Sequence, residues 1–190
     1  SAVRDAVKAH GWWCPQLAES EGGLGLSLEE FGRLSQVLGR SPLGHLAFNC
    51  QAPDAGNMEI LIDHATEAQR DRFLDPLVAG DVRSCFAMTE PEHAGSNPKH
   101  LSTTAERDGD HYLLHGHKWF TTGADGAAFT IVMAVTDPGA DNPYQRASML
   151  LVPMDADGLE HVRRIPIMGE RGEGWFSHSE LRFHDVRVPV

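Results

Sequence analysis

The sequence predicts an α+β chain: a helical N-terminal domain over residues 1–83, followed by an antiparallel β-barrel or sandwich over residues 84–190. Three observations carry this. Up to about Gly80, apolar residues recur at helical spacing behind capping motifs; from Ser84 onward they fall in short runs rich in Val, Ile, Leu and aromatics; and no helical pattern separates those runs. Strands that follow one another without crossover helices pair antiparallel, in barrels and sandwiches.

Ser1 to His10 reads as the tail of a helix already under way. Gly22-Gly-Leu-Gly25 lacks both the Gly-x-Gly-x-x-Gly spacing and the Gly-Lys-Ser/Thr ending of a phosphate loop, and no apolar strand precedes it, so it is a loop leading into the next helix. That helix opens on Ser27 with Glu30, a capping box in which each side chain satisfies the other's backbone N–H. Leu28, Phe31, Leu34, Val37 and Leu38 then share one face, and Gly39 ends the helix. The stretch from Pro53 to Ile62 caps and starts a further helix. Thr66 with Gln69 repeats the capping box ahead of Phe73, Leu74, Leu77 and Val78, where Pro76 is expected to break or kink the segment.

Strands are predicted over residues 85–88, 101–106, 111–114, 118–121, 129–135, 148–152, 159–163 and 180–188. Arg107-Asp-Gly-Asp110 is a hairpin turn with Asp-Gly at its centre. Asp137-Pro-Gly-Ala-Asp-Asn-Pro143 is an exposed connection, and no internal repeat is found. The closing strand stops at Val190 without a cap or linker, so a piece of a longer chain is expected.

With 190 residues and 41% apolar content, the chain can bury a proper core. No apolar run approaches the ~20 residues that span a bilayer. Sixteen Lys and Arg against 27 Asp and Glu give a net charge of −11 with no basic block, which argues against nucleic-acid binding while leaving room for local groups that hold a phosphorylated ligand. Cys14, Cys50 and Cys85 are widely spaced in apolar contexts, as reduced buried thiols of a cytoplasmic protein; no signal peptide is expected. His111, His115 and His117 share strand parity, but Gly116 suggests a bulge, and ~20 Å of strand separates the outer pair too far for one metal ion.

Chemistry concentrates between Cys85 and Gly123. Thr89, Glu90, Ser96 and Asn97 follow an apolar run, so polar groups emerge where a strand leaves the core, beside a glycine that admits a ligand or another backbone. Trp119 and Phe120, next to Thr121 and Thr122, add flat apolar surface beside hydroxyl groups. A planar heteroaromatic ligand suits such a surface.

Phe86-Ala-Met-Thr-Glu-Pro-x-x-Ala-Gly-Ser-Asn97 resembles the first signature of the acyl-CoA dehydrogenase family, and Gly116-His-Lys-Trp-Phe-Thr-Thr-Gly123 resembles the family's second flavin-contacting strand. Gly22-Gly-Leu-Gly-Leu26, Phe48-Asn-Cys-Gln-Ala-Pro-Asp-Ala-Gly-Asn-Met58, Ser148-Met-Leu-Leu-Val-Pro-Met154 and Phe183-His-Asp-Val-Arg-Val-Pro189 extend the resemblance over nearly the whole chain. It is most similar to the long-chain-active branch of family members ten and eleven. The resemblance implies FAD-dependent α,β-dehydrogenation of medium- to long-chain acyl-CoA, with hydride passing from Cβ to flavin N5. It also implies a homodimer or homotetramer and an electron-transferring flavoprotein as partner. Phe86, Met88 and Thr89 match positions that contact the isoalloxazine ring, with Thr89 donating toward its pyrimidine edge; Phe120 matches the aromatic residue packed on the ring and Thr122 the hydroxyl next to N5, with Thr121 between them. Ser96 matches the residue near the substrate's pantetheine and the flavin phosphates, and Gly95 permits the close approach.

The loop through Glu92 and His93 is one residue longer than in much of the family, and Asn97 stands where Asp is usual, bringing N–H donors where a carboxylate only accepts. Trp119 immediately before Phe120 leaves it open which ring stacks on the flavin. The family's catalytic base is a Glu in a C-terminal helical bundle that residues 1–190 do not include, so no catalytic residue is assigned; Glu170 and Glu173 are expected to be solvated. An acyl-CoA oxidase or flavin monooxygenase on the same scaffold, and a non-catalytic interaction module, are the alternatives.

Overall fold

A computed structural model describes residues 1–95 and 97–190, in two compact units, Ser1–Val82 and Arg83–Val190. The first unit contains α1 (Ala2–Ala9), α2 (Leu28–Leu38), α3 (Gly44–Ala47), α4 (Asp54–His64), α5 (Glu67–Gln69) and α6 (Asp75–Ala79). Both capping boxes form: Ser27 N donates to Glu30 Oε2 and Thr66 N to Gln69 Oε1, each at 2.9 Å. Pro76 does not break its segment. It sits in the first turn of α6, where a missing N–H costs nothing, and the preceding turn, Arg70–Leu74, is a wider π-helix. Cys14, Leu17, Met58, Leu61, Leu74 and Leu77 form the buried interior, while on the apolar face of α2 only Leu38 is buried and Leu28 stays 88% exposed. Asn49, itself in the left-handed region at φ +57°, donates through Nδ2 to Leu77 O at 3.0 Å and Val78 O at 3.2 Å, satisfying carbonyls at the end of α6.

The second unit is a curled half-barrel of β1 (Ser84–Ala87), β2 (Thr104–Asp108), β3 (His111–Thr122), β4 (Phe129–Val135), β5 (Ala147–Pro153), β6 (Leu159–Arg164) and β7 (His178–Pro189). The order is β1-β4-β2-β3-β7-β6, with β5 paired on β4. Most pairs are antiparallel, but β1 runs parallel to β4, and a single parallel bridge joins Thr104 to Val135. Leu114, Val132, Val152, Leu181, Phe183 and Val186, all buried, centre its core.

Two predicted runs, 111–114 and 118–121, are one twelve-residue strand, because bulges rather than turns absorb the polar interruptions; the register against β7 shifts between Leu114 and Gly116 and again between Lys118 and Thr121. The run predicted at 101–106 pairs only from Thr104. In the β2–β3 hairpin Asp108 pairs with His111, so the loop is Gly109-Asp110 rather than Asp108-Gly109, with Gly109 at φ +65° in the first loop position, where a II′ hairpin puts glycine.

Gly116 is required by contact. A Cβ there would lie 2.3 Å from Thr103 Oγ1 and 2.6 Å from Thr103 Cβ. Gly116→Ala is therefore expected to lower stability by about 1–3 kcal/mol in urea titration. Equal stability of Gly116→Ala and the parent would refute the contact.

Candidate functional site

At the exit of β1, Cys85 and Ala87 point into the core and Phe86 and Met88 lie half-buried on the other face. The chain then turns through Thr89 and Glu90 against β3. Trp119 N donates to Thr89 O at 3.0 Å and Thr89 Oγ1 donates to Trp119 O at 2.7 Å, so strand and turn are clasped by two bonds. Gly95 closes over the same residue: a Cβ there would meet Thr89 Cγ2 at 3.0 Å.

Beneath the turn lies an ion pair out of contact with water. Lys118 and Glu90 have side chains 0% and 1% exposed, with Nζ 2.8 Å from Glu90 Oε1 and 2.8 Å from Met88 O. Glu90 also accepts from Ser102 N at 2.6 Å and Thr103 N at 3.0 Å. Burial by itself would push the Glu90 carboxyl up, but hydrogen bonds from Lys118, Thr103 and the Ser102 amide, with the charge of Lys118, together outweigh it and hold it below the usual range. Burial pushes Lys118 down against the opposing pull of Glu90.

One residue further along β3 the bulge begins. Lys118 pairs with Leu181 and Thr121 with Ser179, which leaves Trp119 and Phe120 opposite a single residue. Phe120 takes φ +51°, in the left-handed region that a bulky residue avoids, and 41% of it is exposed; Trp119 stays half-buried with its ring edge-on, the centroids 4.9 Å apart. Thr121 is 1% exposed, and its Oγ1 has no hydrogen-bond partner among the described residues. Thr122 faces the other way, its Oγ1 2.9 Å from His178 Nδ1.

The fold thus gathers Thr89, Gly95, Phe120 and Thr121 around the clasp. Met88 joins through its carbonyl on Lys118, Phe86 stays on the outer face of β1, and Thr122 is turned toward His178. Ser96 lies outside the described residues. The three β3 histidines go separate ways: His111 beside Asp110, His115 3.4 Å from Asp185, and His117 between Glu92 and Glu180. Among the described residues no three His, Cys, Asp or Glu side chains are grouped to hold a metal ion. Glu170 is exposed, and the Glu173 side chain is 90% exposed, 3.9 Å from Arg164. Sequence reasoning missed Lys118, whose only signal is a lysine inside an otherwise aromatic strand run. It gave Glu90 no partner, because nothing local links residues 28 apart.

The family models for the N-terminal and the middle domain of acyl-CoA dehydrogenases match residues 1–81 and 85–186, and the chain belongs to that family. It is 41% identical to mouse acyl-CoA dehydrogenase family member 10, covering 98% of this chain and 18% of that protein, and 37% identical to chicken family member 11, covering 99% and 24%. A structure from Mycobacterium abscessus, solved as a candidate acyl-CoA dehydrogenase, superposes with a TM-score of 0.94 at 39% identity over 99% of this chain and 46% of that one. A glutaryl-CoA dehydrogenase from Mycobacterium smegmatis, in complex with FADH2, gives a TM-score of 0.75 at 26% identity over 99% of this chain and 45% of that one. The chain spans between about a fifth and just under half the length of these relatives. No helix among the described residues is long and apolar enough to cross a membrane.

The ion pair under the shelf has a measurable signature. Glu90→Gln strands a buried lysine and is expected to cost about 3–5 kcal/mol in chemical denaturation at neutral pH. The Glu90 carboxyl is held low in the folded chain, so its stabilisation is present above the ordinary carboxylate range, near ~4.3, and is lost as pH falls through the folded value. The gap between parent and variant should therefore narrow on acidification; a gap that widens would exclude the ion pair as its source.

Proposed function

We propose that this chain is the N-terminal and middle-domain part of an enzyme that oxidises the Cα–Cβ bond of acyl-CoA thioesters with FAD, and that the shelf of Thr89, Gly95, Phe120 and Thr121 holds the flavin. One observation carries the reading: a buried hydroxyl without a partner, Thr121 Oγ1, lies next to an aromatic ring kept exposed by a left-handed backbone. An unpaired buried hydroxyl costs about 1–3 kcal/mol, and a left-handed Phe costs a similar amount. A planar ring system with hydrogen-bonding edges relieves both, by covering Phe120 and partnering Thr121. FAD fits the residues present.

The chemistry FAD supplies when bound is acceptance of hydride from the substrate's Cβ. The residues of this chain bind and orient. Thr121, rather than the His178-bound Thr122, would offer the flavin a free hydroxyl. Thr89 already donates to Trp119 O, so toward the flavin its hydroxyl oxygen would act as an acceptor. Phe86 and Met88 supply apolar wall, Gly95 admits close approach, and Ser96 is assigned to the pantetheine and phosphate side. The α-proton base is not assigned to any residue of this chain. A preference for medium to long acyl chains rests on the resemblance of the sequence motifs to the long-chain-active branch of the family, and three free buried cysteines fit a cytoplasmic location. A homodimer or homotetramer and an electron-transferring flavoprotein complete the proposal.

The test is the visible spectrum of the full-length protein, before and after anaerobic addition of a long-chain acyl-CoA. A flavin band that bleaches is the expected result; a protein that stays colourless after incubation with FAD overturns the reading. Thr89→Ala, Phe120→Ala and Thr121→Val should each weaken flavin retention about tenfold with far-ultraviolet circular dichroism unchanged. Unaltered flavin content in all three would remove these residues from the site.

A further inference from the structure

His117 precedes Lys118 on β3 and faces the opposite way. Its Nδ1 lies 3.0 Å from Glu92 Oε1 and its Nε2 2.9 Å from Glu180 Oε1, so one imidazole joins the turn at residues 91–95 to β7. Ionised carboxylates only accept hydrogen bonds, and a neutral imidazole has a single N–H. Both contacts are hydrogen bonds together only when both ring nitrogens carry protons. The surrounding charges are Glu92 from the turn, Glu180 and the register partner Arg182 from β7, and Arg163 from β6, whose Nε lies 2.6 Å from Glu180 Oε2. Burial would raise the Glu180 carboxyl, but hydrogen bonds from Arg163 and His117 outweigh it and hold it low, so it stays an anion for His117 through neutral pH. The Glu92 side chain is 52% exposed, and its described ion pair is the one with His117.

The turn is therefore held from both faces of one strand, by Glu90 on Lys118 and by Glu92 on His117. We infer that His117 is a positioning residue, a proton-dependent latch that fixes residues 91–95 against the sheet and so sets how tightly the shelf retains its ligand. This rests on the flavin reading for the identity of that ligand, while the latch itself is a property of the chain. Loss of either ring proton breaks one of the two contacts, so the latch loosens when the imidazole gives up a proton.

The experiment uses the full-length protein at about pH 6 and about pH 8.5, with two readouts. One is exchange protection of the His93 and Asn97 amides, which bond to Glu90 O and Ala94 O within the turn, corrected for intrinsic exchange rates. The other is the dissociation constant for added FAD. In the parent protein, protection and FAD affinity should both fall about tenfold at the higher pH. His117→Gln, with an acceptor where the second donor is needed, should show the loosened values at both pH values. His117→Arg, whose guanidinium donates to both carboxylates and does not titrate, should restore the tight values and make them independent of pH. Parent protection that does not change with pH, or His117→Gln with full parental protection, overturns the latch. FAD that binds tightly without any pH dependence of the turn also defeats the latch and leaves the flavin reading standing. Protection that follows pH in a protein that never binds FAD supports the latch and defeats the flavin reading.

Discussion

The shelf depends on a buried charge pair. Lys118 and Glu90 are both out of water, and such a pair repays its desolvation only when the remaining donors and acceptors are met. Here they are: Lys118 reaches a carboxylate and the Met88 carbonyl, and Glu90 collects two amides at the entry to β2. The pair therefore cross-links three chain segments, the end of β1, the start of β2 and the middle of β3, at one point. An apolar pair of equal volume could fill the space. It could not tie down the turn's carbonyls and amides, which would be left buried and unsatisfied.

From that anchor the neighbouring irregularities follow. With Lys118 held inward, the strand must regain its register before Thr121 pairs with Ser179, and the extra residue is expelled as the Trp119-Phe120 bulge. The bulge puts Phe120 at positive φ with its ring in the open, and leaves the neighbouring Thr121 hydroxyl with nothing in the chain to bond. Strain and an unpaired donor next to each other are features a fold removes unless something else compensates them, which is why the flavin proposal rests on this corner.

Much of the frame was legible because its causes are local. Ser27 with Glu30 and Thr66 with Gln69 close their boxes within one helical turn, and the β2–β3 hairpin follows from a glycine that tolerates positive φ. Where the reading slipped, the deciding contact was distant. Residues 111–114 and 118–121 merge into one strand because β7 pairs along both, and Leu101 to Thr103 stay out of the ladder, two of their amides taken by Glu90. In the proposed site, Thr89, Gly95 and Phe120 were singled out by type and motif. The separation of Thr121 from Thr122 was not, since adjacent hydroxyls on one strand differ only in which face the bulge assigns them.

The sequence by itself determined the division into a helical and a β half, the capping of the helices and the family, because periodicity, caps and motif spacing are written in neighbouring residues. Only the tertiary structure decided that Lys118 belongs to Glu90, that Phe120 rather than Trp119 is the exposed ring, and that of Thr121 and Thr122 it is Thr121 whose hydroxyl has no partner among the described residues. Each of these rests on a contact between residues far apart in the chain, or on a bulge whose register is set by the neighbouring strand, and neither the burial of a charge nor the face of a strand residue exists until those partners meet.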